Sequence, residues 1–92
     1  MPYIKSKERI RLDTALDKVH LNVPGELNYA INKLCIEYLQ DREMSYITLN
    51  DIIGAIELAK LEFMRRIVEK YEDHKIKENG DIFQAIIRNK NI

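Results

Sequence analysis

Residues 49–71 read LNDIIGAIELAKLEFMRRIVEKY, without a proline or a run of β-branched residues. The stretch predicts one long helix over about 49–72, since about 23 residues at about 1.5 Å each give roughly 35 Å of helix. Ile52, Ile56, Ala59, Phe63 and Ile67 line one side of it. Ala55, Leu58, Leu61, Met64 and Val68 spread the apolar surface further round, leaving a narrow polar strip. Such a helix is expected to be central or shared between subunits. Thr48 with Asp51 has the form of a capping box, and Asn50 competes as N-cap. Gly54 costs about 1 kcal/mol within a helix relative to alanine, which points to another helix approaching closely there.

Working outward, Pro24 suits the first turn of a preceding helix over about 24–40, and Glu26 suits the positive end of its dipole. Leu27, Ala30, Ile31, Leu34, Cys35 and Tyr38 form one stripe, widened by Ile36 and Leu39, and this face is expected to be core. Leu12, Ala15, Leu16 and Val19 predict a short first helix, interrupted from His20 to Gly25. Beyond the long helix, Asn79-Gly80 signals a turn, and Asp81 is expected to cap a short last helix carrying Ile82, Phe83 and Ile86. Short extended pieces are expected only at Tyr3-Ile4 and Tyr46-Ile47. The predicted class is all-α, with a short first helix, two longer helices and a short C-terminal one in a single domain over residues 1–92.

The charge balance narrows the partners. Fifteen basic and fifteen acidic side chains cancel, so no global field draws the chain to nucleic acid or an anionic membrane. Nowhere do eighteen consecutive apolar residues occur, and residues 1–11 are basic rather than a secretory signal. The single cysteine, Cys35, excludes an intrachain disulfide framework and a multi-cysteine zinc site. A cytoplasmic protein is expected. So short a chain buries a small fraction of its surface, and a homo-oligomer is expected for that reason.

Candidate chemistry is sparse. There is no phosphate-binding glycine loop, no His-Glu-x-x-His helix and no paired-cysteine ligand set, so the expectation is a protein that is not an enzyme and takes no metal or cofactor. His20 and His74 stand among ordinary polar residues. The polar run from Tyr71 to Asp81 offers carboxylates beside a histidine, or simply a helix end unwinding into a solvated turn. Arg65 and Arg66 have the fork geometry for an anion, though Glu62 and Glu69 lie at ion-pair spacing. Lys5, Lys7, Arg9 and Arg11 make the one basic segment. Tyr29 and Tyr71 are candidates for stacking on a ligand.

Met1-Pro2-Tyr3-Ile4, Leu12-Asp13, Gly25-Glu26-Leu27-Asn28-Tyr29, Gly54-Ala55-Ile56-Glu57, Glu62-Phe63-Met64-Arg65-Arg66 and the run from Tyr71 to Asp81 recur in order in a known group. With these blocks the sequence resembles a family of small uncharacterised helical proteins encoded by bacteriophages, prophages and some prokaryotic genomes. It departs from the pattern at Met64, where an aromatic residue is usual, and at Phe83, in a tail that is often shorter. The resemblance implies a binder, either of a nucleotide-like immune signal held between subunits, as an anti-defence device, or of a host protein. The resulting expectation is a homo-oligomer that sequesters an anionic small molecule through Arg65 and Arg66 with Tyr29 or Tyr71, and with Glu26, Asn28 and Arg9 as further contacts. The alternative is a protein-interaction module that inhibits or adapts a host or phage protein.

Overall fold

The computed structural model describes residues 4–92, and among them the chain is all-α, without a strand. Its elements are α1 (Ser6–Leu16), α2 (Pro24–Gln40), α3 (Tyr46–Phe63), a π-helical segment (Met64–Val68), α4 (Glu69–Asn79) and α5 (Gln84–Lys90). The expected extended start at Tyr3 lies outside the described residues. The chain divides into two units, one through Gly54 and one from Ala55 to Ile92.

In the first unit, α2 occupies the range predicted for it. Pro24 takes the first turn after an extended Val23, and Glu26 Oε1 accepts a hydrogen bond from the Asn22 N–H at 2.6 Å, fixing the entry of the chain. At the other end, Arg42 Nη1 donates to the Tyr38 carbonyl at 2.6 Å, satisfying a group that the helix leaves unpaired. The start of α3 differs from expectation. Ser45 Oγ accepts from the Thr48 N–H at 3.3 Å, so the helix is capped at Ser45, Tyr46-Ile47 is helical rather than extended, and Thr48 and Asn50 lie inside the helix. A hydroxyl three residues before a backbone N–H competes on equal terms with the Thr48–Asp51 pairing, and it wins here.

In the second unit the helical backbone passes from α3 through the π-helical segment into α4, with Phe63, Val68 and Glu69 all right-handed. The helix therefore outlasts the predicted end near residue 72. It stops at Gly80, whose φ of 84° suits a residue without Cβ and whose N–H reaches back to the Ile76 carbonyl at 2.8 Å. Asp81 Oδ1 accepts from the Phe83 N–H at 2.9 Å, a turn that precedes α5 rather than a cap on it. Asn91, left-handed at φ 62°, closes α5.

The predicted stripes form, but they are not covered. Among the described residues no apolar side chain is buried; Thr48, 8% exposed, is the only buried residue. Leu34, at the middle of the α2 stripe, is 54% exposed, and Ile53 on α3 is 64% exposed. The expectation that the α2 stripe faces a core within the chain is thereby corrected. The physical reason is that, within each unit, no described helix lies closely against another except the π segment and the α4 that continues it. Helices of 11 residues, such as α1, and of 7, such as α5, fall below the roughly 12–15 residues at which an isolated helix is even marginal in water. They depend on packing. No described helix is long and apolar enough to cross a membrane.

Candidate functional site: an apolar groove and two polar segments

A concavity lies in the first unit, where the end of α1, the connection over residues 17–23 and the first turns of α2 line an open groove of about 910 Å³. Leu16 from α1, Val19, Leu21 and Val23 from the connection, and Leu27 and Ile31 from α2 supply its apolar wall. Val19 follows a turn closed by its N–H to the Leu16 carbonyl at 3.0 Å, and Val23 is extended at the entry to α2. The three apolar residues Val19, Leu21 and Val23 in a segment that sequence reasoning treats mainly as a break between helices are the signal that could have found the groove. His20, Glu26 and Lys33 are the ionisable residues of the lining, apart from the Tyr29 phenol. One lysine opposed by one glutamate makes a poor anion site; the groove suits apolar protein side chains.

Of the residues predicted to touch a ligand, Glu26 and Tyr29 line this groove. Glu26 is already engaged by the Asn22 N–H. Asn28 and Arg9 also serve local structure: Asn28 Oδ1 accepts from Asn32 Nδ2 at 3.1 Å, and Arg9 Nε donates to the Ile4 carbonyl at 3.1 Å. These groups hold helix turns and ends. Tyr29 is exposed.

The other predicted contacts belong to the second unit. Arg65 and Arg66 are neighbours on the π segment; Arg65 Nη2 stands 3.4 Å from Glu62 Oε2, as its spacing predicted, while no ion pair engages Arg66 among the described residues. Tyr71 follows on α4, where the Lys75 ammonium lies 5.6 Å from its ring centroid. The polar run from Tyr71 is helical as far as Asn79, so the reading of it as an unwound turn holds only for its last two residues. Glu78 gathers two partners, with His74 Nε2 at 3.3 Å and Lys75 Nζ at 2.9 Å. Both pairings use the i, i+3 and i, i+4 geometry of a helix surface. Among the described residues no group of three or more His, Cys, Asp or Glu side chains is placed to hold a metal ion.

The chain belongs to the family described as a domain of unknown function (DUF6899), which matches it over residues 1–82. That match takes in α1 to α4 and ends before α5 begins at Gln84. No curated protein and no solved structure matches the chain.

Proposed function

We propose that this chain is a protein-interaction module whose helices acquire their core by packing against other protein chains. The observation that carries this reading is the lack of any buried apolar side chain among the described residues, in a sequence that is 46% hydrophobic and forms regular apolar stripes. Burying apolar surface contributes about 25 cal/mol per Å², and ordering the backbone costs about 1–2 kcal/mol per residue, so helices left uncovered do not offset their own ordering. Folding is then coupled to association. Sedimentation velocity and circular dichroism on one dilution series test it: the expected result is a mass above that of one chain, with helicity falling as the assembly dissociates. A monomer that keeps full helicity and melts cooperatively in urea overturns it.

A second reading, an assembly that sequesters an anionic small molecule such as a nucleotide signal, is favoured by one observation. Arg66 projects from a π-helical segment beside Arg65 without an ion-pair partner among the described residues, and π-helical turns recur at ligand sites. A guanidinium in that setting is available to a phosphate or carboxylate.

A further inference from the structure

We propose that the groove on α2 receives the α2 of a second copy, the two helices lying antiparallel about Ala30, so that Glu26 of each copy meets Lys33 of the other. The proposal rests on the interaction reading above and adds the identity, face and direction of the partner.

The groove carries two opposite charges in line. Glu26 and Lys33 both line it, seven residues apart on α2. Seven residues advance a helix by about 10.5 Å and bring the side-chain direction back to within about 20°, so the two stand on one edge, two turns apart. Neither is neutralised within the first unit. Glu26 Oε1 takes only the Asn22 N–H, and no ion pair engages Lys33 among the described residues, although Glu37 stands one turn on. An edge that reads minus and then plus is complementary to its own reverse. With a two-fold axis between Tyr29 and Ala30, Glu26 comes level with the partner's Lys33 and Lys33 with the partner's Glu26, and the symmetry makes the contact twice. A parallel pairing in register would instead set like charges against each other. Glu37, on the same edge, falls level with a position beyond the end of the partner's helix and so meets no like charge there.

The same axis aligns the apolar residues. Leu27 and Leu34 are also seven apart, so each lies within two residues, about 3 Å along the axis, of the partner's Leu34 and Leu27. Ile31 fills the level between them, and all three are exposed in the chain alone. Ala30, the smallest side chain of the stripe, sits where the two helices come closest. A different protein would have to bring a plus and a minus at this spacing beside an apolar row; a second copy already carries them.

The test uses the full chain. Glu26→Lys makes the edge doubly positive, and Lys33→Glu makes it doubly negative. In sedimentation equilibrium each variant alone is expected to self-associate about tenfold or more weakly than the parent, while their equimolar mixture regains the parent's association, because opposite charges meet again. A second arm does not disturb the Glu26 contact with Asn22. In a Cys35→Ser background, Ala30→Cys is expected to give disulfide-linked dimers under mild oxidation, the axis bringing the two Cα atoms within the roughly 4.4–6.8 Å that a disulfide spans. Asn32→Cys, about 200° round the helix, is expected to stay uncrosslinked. A parent that associates while Lys33→Glu associates equally well, or while the mixture does no better than either variant alone, overturns the antiparallel pairing and leaves the interaction reading standing. An associating parent without crosslinks through Ala30→Cys does the same. A parent that becomes helical only with a different protein overturns the second copy as partner. A fully helical monomer overturns both.

Discussion

The Arg42 guanidinium lies 3.6 Å from the centroid of the Tyr38 ring while its Nη1 donates to the Tyr38 carbonyl, so one side chain closes the last turn of α2 twice over. Stacking and hydrogen bonding use different parts of the guanidinium plane, which lysine cannot reproduce. Arg42→Lys is therefore expected to lose most of what Arg42→Ala loses, about 0.5–1 kcal/mol at this exposed position. Urea melts at one fixed protein concentration measure it. Equal stability of the lysine variant and the parent would show that the stacking contributes nothing.

Ser45→Ala is expected to destabilise the start of α3 by about 0.5–2 kcal/mol, since Ser45 Oγ is the acceptor for the Thr48 N–H. Asn50→Ala, inside the helix, is expected to change stability by less than about 0.5 kcal/mol. Thermal melts of the two variants check the assignment of the cap; the reverse order would return it to Asn50.

Leu34→Ala separates a covered stripe from a bare one. A leucine half exposed in the chain but enclosed in an assembly is expected to cost about 2–5 kcal/mol when truncated, read as a fall in the association constant. On an uncovered helix the change is small, because alanine is the better helix former. Sedimentation equilibrium on parent and variant is the measurement, and unchanged association would show that this face of α2 stays in water.

Replacing Arg65 and Arg66 together by glutamine is expected to leave the fold intact, with a loss of about 1 kcal/mol or less, since in the one ion pair these arginines make among the described residues Arg65 is largely exposed. If the assembly binds an anion, calorimetric titration against cyclic and linear nucleotides should show binding by the parent that the variant lacks. A parent that binds none of them removes the small-molecule reading.

The second helix was legible because Pro24, the apolar stripe from Leu27 to Tyr38 and the polar run after it are local signals that agree. The ends of the third were less so. Ser45 lay just outside the predicted helix, and the run from Tyr71 was read by its polarity, although Lys75 and His74 stand at helical spacing to Glu78. The π segment carries no local signature in Met64–Val68 that ordinary helix formers lack. Nor does a stripe on a helix state which chain will cover it; the periodicity of Leu27, Ile31 and Leu34 marks an apolar face and is silent about its partner. The candidate site fared similarly. Glu26 and Arg9 stand near helix ends, where backbone groups recruit such side chains for their own hydrogen bonds, and Asn28 pairs with the side chain of Asn32 one turn on.

The π-helical turn at Met64–Val68 also decides what a change of length does to this helix. Such a turn arises when a helix accommodates one extra residue, and each residue of an α-helix advances the side chains by about 100°. The wider turn absorbs that advance, so deleting one residue between Met64 and Val68 would restore ordinary α periodicity and leave Tyr71, His74, Lys75 and Glu78 facing as they do relative to the apolar surface of Ala55–Phe63. The pairs within α4 would survive, because their mutual spacing is untouched. A chain one residue shorter at this place would thus keep both halves of the helix and the surface they share, making the turn a store of slack in which a length change disappears without altering what the helix presents.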